Sequence, residues 1–154
     1  MKRKSLFLFL MITMVIFAGC ATQEKDIPVA ELAQKLNTTV PFANPLTPLE
    51  TDMALQIYGI SGEDVQEAAV YVGTGGATVD EISVWKAKDA DAAGRIKEKV
   101  QARIEAQKSV YADYQPDEVP KLEEPLLVAN GNTVILCVSG HNSEAQSVVN
   151  SYMK

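Results

Sequence analysis

The chain has 154 residues, with 14 lysines and arginines against 20 aspartates and glutamates, and its formal net charge is −6. A nucleic-acid-binding surface needs a stripe of basic residues, so this balance argues against nucleic acid as a partner. The single histidine excludes a metal site or a catalytic centre built from several histidines.

The first 20 residues have the layout of a bacterial lipoprotein signal. Lys2-Arg3-Lys4 precedes an apolar run from Ser5 to Phe17, and small residues lead into Cys20. A helix of about 13 residues rises roughly 20 Å, whereas a membrane-spanning helix needs about 20 apolar residues. Ala18-Gly19-Cys20 resembles the lipobox, in which diacylglycerol is joined to the cysteine thiol, although Phe17 stands where leucine is commonest. The alternative is an ordinary secretory signal that ends by chance in a cysteine.

This pattern predicts three segments. Residues 1–19 are a signal peptide that is removed, residues 20–26 carry the lipid and form a short polar tether, and residues 27–154 form a single α+β domain. Two acyl chains on Cys20 would contribute on the order of 20 kcal/mol to membrane binding. The predicted location is the outer face of the cytoplasmic membrane. Removal of the signal leaves 11 basic residues against 20 acidic ones, a net charge of −9.

Two helices and a loop are predicted at the start of the domain. Apolar residues recur at helical spacing over Val29–Leu36 after Pro28, and Asn37–Pro45 is predicted to be a loop. Thr47-Pro48-Leu49-Glu50 matches a capping box, with Thr47 as the cap. The second predicted helix therefore starts at Pro48 and stops at Gly59.

A β-hairpin is predicted next. Gln66–Gly73 alternates in polarity, glycines follow, and Thr78–Lys88 offers a second strand with Ile82 and Val84 on one side. The alternative is a helix that runs from Thr78 to residue 114. β-Branched and aromatic residues before Lys86, and alanines after Asp89, favour the strand.

A long helix, a second hairpin and a last helix are predicted in the second half of the domain. Asp89–Tyr114 is predicted to be a long amphipathic helix, supported by Asp91–Arg95 and Glu105–Lys108 pairs. Leu126–Ala129 and Thr133–Val138 flank Asn130-Gly131, a strong hairpin signal. Ser143-x-x-Gln146 is predicted to cap a last helix. The fold class is therefore α+β, in the order α-α-β-β-α-β-β-α, with an antiparallel sheet of about four strands and helices on at least one face.

Few residues suggest catalysis. His141 lies in a predicted loop before the last helix, where a solvated residue is the simpler interpretation, and no serine lies in a Gly-x-Ser-x-Gly turn. Carboxylate pairs remain an alternative, among Glu63, Asp64, Asp80 and Glu81. Gly73-x-Gly75-Gly76 lacks the Gly-Lys-Ser/Thr of a phosphate loop and is better explained as a hairpin turn. We therefore expect no cofactor and no metal.

Candidate ligand-binding residues are aromatic or lie in loops. Trp85 and Tyr71 are candidates for an exposed patch that binds carbohydrate or peptide, with burial under helices as the favoured alternative. Gln107 interrupts the apolar stripe of the long helix, either as a hydrogen-bonding group in the core or at the edge of the stripe. Once the lipid occupies Cys20, Cys137 has no disulfide partner, and its apolar neighbours predict a buried, unreactive thiol.

Several short patterns carry a family resemblance. They are Leu55-Gln-Ile-Tyr58-Gly59-Ile, Asp80-Glu81-Ile82 with Trp85-Lys-Ala-Lys-Asp89, Arg103-x-x-x-Gln107 before Tyr111 and Tyr114-x-Pro116, and Gly131-x-x-Val134-x-Leu136. Over roughly residues 27–152 the chain resembles the DUF4358 domain lipoproteins of Firmicutes. The resemblance implies a surface-anchored domain of a Gram-positive bacterium, and it implies no activity, substrate or catalytic residue.

The sequence leaves three functions open. The first hypothesis is a non-enzymatic lipoprotein that binds a small ligand or an envelope protein. The alternative is a cell-envelope hydrolase that uses His141 or paired carboxylates. A third is a structural or assembly role, suggested by the long amphipathic helix, with the oligomeric state open.

Overall fold

The computed structural model describes residues 26–153, so the predicted signal peptide, Cys20 and most of the tether lie outside the described residues. Five helices and five strands follow in chain order. They are α1 (Val29–Thr39), β1 (Leu46–Leu49), α2 (Thr51–Tyr58), β2 (Val65–Gly73), β3 (Glu81–Ala87), α3 (Ala90–Tyr114), α4 (Val119–Glu123), β4 (Leu126–Asn130), β5 (Thr133–Val138) and α5 (Asn142–Met153). No helix within residues 26–153 combines the length and apolarity needed to cross a bilayer.

The five strands form one antiparallel sheet in the order β1-β2-β3-β5-β4. Both predicted hairpins are present, β2 with β3 and β4 with β5. Strands β3 and β5 lie inside the sheet, and all six residues of β5 are buried. A run of apolar residues without alternation is typical of a strand that is covered on both faces.

Helices cover both faces of this sheet. Helices α1 and α5 pack with Ile82 and Val84 of β3 in one apolar cluster. Helices α2, α3 and α4 pack with Trp85 and Ala87 in the other. Successive strand residues point to opposite faces, which is why neighbours in β3 enter different clusters. The predicted α+β class and antiparallel sheet are confirmed, as is the strand rather than the helix after Thr78.

The predicted capping box is wrong, and the sheet has one more strand than expected. Residues Leu46–Leu49 form β1, which pairs with β2, and Glu50 rather than Thr47 precedes the helix. An edge strand tolerates Pro48, because one side of an edge strand needs no ladder hydrogen bonds. Pairing with β2 therefore prevails over the local helix-start pattern. Gly59 does end α2, with φ 62°, a left-handed conformation that glycine adopts at low cost.

Smaller differences concern helix ends and ion pairs. Helix α1 extends to Thr39, and the unpredicted helix α4 buries Leu122. Helix α5 begins at Asn142, so Ser143 lies within it instead of capping it. The Glu105–Lys108 pair is present, at 2.8 Å. Arg95 pairs with Asp64, not with the predicted Asp91.

Different parts of the chain lie at the two ends of the sheet. We call the end with Val65, Ala87 and Thr133 the base, and the end with Gly73 and Glu81 the apex. The chain enters at the base, where Asp26 forms an ion pair with Lys86. Helix α1 then runs toward the apex, where the amide of Ala43 lies 3.3 Å from Oδ2 of Asp80.

Candidate functional site

A cleft of about 420 Å³ opens at the apex between α2, α3 and the loop that leads into β3. One wall is apolar and consists of Leu49, Met53, Ile57 and Val72. Met53 is 49% exposed and Ile57 37%, although both are large hydrophobic residues. The floor is polar and includes Glu81, Arg103, Gln107 and Tyr111. An apolar wall with a few converging polar groups is typical of a ligand-binding site.

Glu81 is at the centre of the floor and only 2% exposed. Arg103 donates from Nε to Oε1 of Glu81 at 2.9 Å and from Nη2 to Oε2 at 2.6 Å. The hydroxyl of Tyr58 donates to the same Oε1. A bidentate pair of this kind fixes the orientation of both charged groups. The carboxylate is thus held by two neighbours and has little freedom to turn.

Tyr58 contacts both members of the ion pair between Glu81 and Arg103. The Arg103 guanidinium carbon lies 4.8 Å from the centre of the Tyr58 ring, and that ring meets Trp85 edge-on at 5.0 Å. Burial raises the pKa of Tyr58 well above its usual 10.0, and the Glu81 carboxylate raises it further. Burial opposes the charge of Arg103, but hydrogen bonds to Glu81 outweigh it and raise the Arg103 pKa. Tyr58 therefore stays a neutral donor and Arg103 stays a cation.

Gln107 completes the floor. Its Nε2 lies 3.4 Å from Oε2 of Glu81. The reverse orientation would place the amide oxygen against a carboxylate, so Oε1 faces away from Glu81. That Oε1 is buried and has no hydrogen-bond partner within residues 26–153. Gln107 thus interrupts the apolar stripe of α3 because its side chain makes a polar contact with Glu81 inside the molecule.

Asp80, the residue before Glu81, belongs to a separate ion-pair network. Lys121 donates to Oδ1 of Asp80 and to Oε2 of Glu118, both at 2.9 Å. Glu118 also accepts from the hydroxyl of Thr78 and the amide of Val79. Burial alone would raise the pKa of Glu118, but these hydrogen bonds lower it. This network fastens the loop before β3 beside the cleft.

His141 lies in a smaller cleft of about 230 Å³, together with Asp80 and Lys121. Its Nδ1 is 3.6 Å from Oε1 of Glu144, and about half of its side chain is exposed. The structure thus brings His141 near one of the four acids suggested by the sequence. The pair Glu63 and Asp64 is at the base, where Asp64 binds Arg95. The four acids do not form one centre.

The aromatic candidates do not form one patch. Trp85 is fully buried and faces α2 and α3, whereas Tyr71 packs against the cluster of α1 and α5. Trp85 contacts Tyr58, which in turn donates to Glu81. Cys137 is also buried, and burial raises the pKa of its thiol to about 12. A thiol with so high a pKa is unreactive at neutral pH.

Sequence reasoning missed Tyr58 and Arg103 as site residues. Both are distant from Glu81 along the chain, and no periodicity links them. The one signal lay in the family patterns, because eight residues of those patterns meet at or beneath the cleft. They are Ile57, Tyr58, Asp80, Glu81, Trp85, Arg103, Gln107 and Tyr111. Within residues 26–153 no group of three or more His, Cys, Asp or Glu side chains is placed to hold a metal ion.

The comparison with known families covers this whole site. The family described as "Domain of unknown function (DUF4358)" matches residues 40–139. The match includes every residue of the cleft, whereas Cys20 and His141 lie outside it. No curated protein and no solved structure matches the chain significantly. Since the matched region is well over half of the chain, the protein belongs to the DUF4358 family.

Proposed function

We propose that this protein is a lipid-anchored, extracytoplasmic binding module that takes a ligand in the apical cleft and catalyses no reaction. The anchor is supported by the charged, apolar and small-residue order that leads to Cys20. Binding is supported by one observation above all, an open apolar wall over a fixed polar floor. In its biological setting the protein would present this cleft on the outer face of a bacterial membrane.

The apolar wall contributes part of the binding free energy in this proposal. In the free protein Met53 is about half exposed and Ile57 about one-third exposed. Moving a large aliphatic side chain from full exposure to full burial contributes about 1.5–3 kcal/mol, so covering what remains of these two would supply roughly 1–3 kcal/mol. A micromolar complex needs about 8 kcal/mol. Other apolar contacts and polar contacts to the floor would therefore provide most of the free energy, and the floor would set the orientation.

The engagement of the carboxylates argues against catalysis. A general acid or base must be free to exchange a proton with a substrate. Both oxygens of Glu81 already accept hydrogen bonds, from Arg103 and Tyr58. Asp80 accepts from Lys121 and from the Ala43 amide. Each acid is thus already held by at least two donors, which suits a binding surface.

Photocrosslinking tests the cleft. A benzoylphenylalanine at position 53 in living cells should give a discrete adduct, and the same group at Gln56 serves as the control. Gln56 is exposed on the same helix but lies outside the cleft lining. The adduct at position 53 should disappear when Ile57→Asp is added, because this change places a charge in the apolar wall. Equal labelling from both positions, or none from either, would contradict the proposal.

Mass analysis tests the anchor. The mature protein should begin at Cys20 and carry diacylglycerol on its sulfur. The variant Cys20→Ala should lose the lipid and remain largely uncleaved at this site. A bare thiol on Cys20 in the mature protein would show that the signal is an ordinary secretory one.

The hydrolase alternative is favoured by one observation, because His141 and Asp80 line the same small cleft. Purified lipidated protein should be incubated with peptidoglycan fragments and with unstructured peptides. Turnover that is lost in His141→Ala, with unchanged thermal unfolding, would establish this function instead.

A further inference from the structure

Helix α3 is longer than the sheet it covers. It has 25 residues and is therefore about 37 Å long, whereas the seven residues of β3 span about 24 Å. Helix α3 begins at the base, because only two residues separate it from the end of β3. Its last turns must therefore extend past the apex. Val110 and Tyr114 in these turns are 62% and 64% exposed.

The exposed residues of α3 continue the floor of the cleft. Arg103, Gln107, Val110 and Tyr114 are spaced by four, three and four residues, so they lie along one stripe of the helix. Met53 and Ile57 lie on the opposite side of the cleft, on α2. We call these four exposed hydrophobic residues, Met53, Ile57, Val110 and Tyr114, the apical surface. It extends beyond the cleft, which is typical of contact with a macromolecule rather than with a small ligand.

The apical surface lies far from the predicted lipid. Asp26 enters the domain at the base, where it pairs with Lys86. Six residues, 20–25, separate Asp26 from the lipid-bearing end and span at most about 20 Å. The apical end of α3 lies about 37 Å from its basal end. A tether of this length at the base favours an orientation in which the apical surface points away from the bilayer, beyond the reach of its acyl chains.

Arg103 indicates what kind of group the partner presents. Its Nε and Nη2 donate to Glu81, but Nη1 makes no hydrogen bond within residues 26–153. Glu81 already neutralises the guanidinium charge, and the mature chain is predicted to carry nine excess negative charges. An anion gains little from such a site. A neutral carbonyl oxygen accepts from Nη1 without that penalty.

We infer that the apical surface binds a polypeptide segment of another envelope protein, which places large apolar side chains against Met53 and Ile57 and a main-chain carbonyl against Arg103. This inference rests on the proposed function and names its ligand class. Val110 and Tyr114 extend the contact along the segment. A lipid acyl chain is the competing ligand and is an outcome of the test.

The test uses the lipidated protein in nanodiscs and a phage library of random dodecapeptides. Enriched peptides should share at least two large apolar residues. A synthetic copy should bind at least tenfold more weakly to Ile57→Asp and to Tyr114→Asp. Binding should stay within twofold for Gln56→Asp and for Ala112→Asp, which add the same charge outside the apical surface. Thermal unfolding of each variant shows that it is folded, and the highly exposed Tyr114 keeps the test valid if Ile57→Asp unfolds.

A second probe separates this inference from the proposed function. The fluorescent fatty acid cis-parinaric acid should not bind to the protein above its background in empty nanodiscs. Binding of this acid that Ile57→Asp abolishes would overturn the polypeptide inference while leaving a ligand-binding cleft. The absence of any enriched peptide, or equal peptide binding by all variants, would also overturn the inference.

Energy transfer tests the orientation. One dye is attached at Lys88→Cys at the base or at Asp113→Cys near the end of α3, with an acceptor on the lipids. The buried Cys137 should remain unlabelled. Transfer should be clearly stronger from position 88. Equal transfer from a membrane-bound protein would overturn the orientation, whereas loss of membrane binding would instead count against the anchor.

Discussion

The two faces of the sheet are built differently. On the face of α1 and α5, large residues such as Leu32, Leu36 and Ile135 are fully buried. The face of α2 and α3 contains the charged pair of Glu81 and Arg103. All four large hydrophobic residues that are exposed within residues 26–153 lie on α2 or α3. One face is thus closed by its helices, and the other leaves apolar surface exposed.

Helix length accounts for this difference. Helices α1 and α5 have 11 and 12 residues, which correspond to about 17 Å and fit within the sheet. On the other face α2 has only eight residues and α3 has 25. A short helix beside a long one cannot cover the apex evenly. The cleft lies at the part of the apex that the long helix α3 reaches and the short helix α2 does not cover.

Breaking the ion pair should have the largest effect on stability. The variant Arg103→Met leaves the Glu81 carboxylate buried without its cation and should lower the free energy of unfolding by about 3–5 kcal/mol. Urea unfolding followed by circular dichroism measures this. The double variant Glu81→Gln/Arg103→Met removes the unpaired charge and should recover part of the loss. A single variant as stable as the wild type would show that the pair does not hold this face together.

On the closed face, Leu36→Ala should lower the free energy of unfolding by about 2–5 kcal/mol, because Leu36 is fully buried and the substitution leaves a cavity. Met53→Ala on the open face should change it by no more than about 0.5 kcal/mol. The same urea titrations give both values. Equal losses at the two positions would contradict the proposed difference between the faces.

Alkaline pH should weaken the open face. Tyr58 is neutral when protonated, and its pKa is higher in the folded protein than the usual 10.0. Its contribution to stability is therefore complete below about pH 10 and is lost as the pH rises toward the folded value. For this one group the slope is at most about 1.4 kcal/mol per pH unit.

The variant Tyr58→Phe tests this assignment. Urea midpoints between pH 9 and pH 11 should fall less steeply than in the wild type. The slope should not vanish, because burial also raises the pKa of Tyr111 and of Cys137. An unchanged slope would show that Tyr58 ionises equally in the folded and unfolded chains.

The smallest expected effect concerns Cys137 on the closed face. A disulfide reagent such as dithionitrobenzoate should leave this thiol unmodified at pH 8, because it is buried and its pKa is raised to about 12. Adding urea should release one equivalent of reactive thiol. Rapid reaction of the native protein would show that α1 and α5 open easily.

Residue patterns along the chain predicted most of the fold. Alternation over Gln66–Gly73, the Asn130-Gly131 turn and the stripe of the long helix each identified an element that the structure contains. Strand β1 was missed because four residues around Pro48 give no alternation, and their pattern resembles a helix start. Its pairing with β2, a contact distant in sequence, decides its conformation. Helix α4 is only five residues long and gives no periodic signal.

The site was predicted only in fragments. Asp80 and Glu81 stood out as neighbouring acids, and Gln107 as a break in an apolar stripe. Glu81 forms an ion pair with Arg103, whereas Asp80 forms one with Lys121. Which cation each acid meets depends on where α3 and α4 pack on the sheet. No local pattern contains that information. The exposure of Met53 and Ile57 likewise depends on the length of α2 relative to its neighbours.

The short edge strand has a consequence for the behaviour of neighbouring molecules. Strand β1 ends the sheet with four residues, and Pro48 removes one main-chain donor from that margin. An unprotected sheet edge can pair with the edge strand of another molecule. Copies held on one membrane by the proposed lipid anchor would collide often, and Pro48 would hinder them from polymerising through this edge.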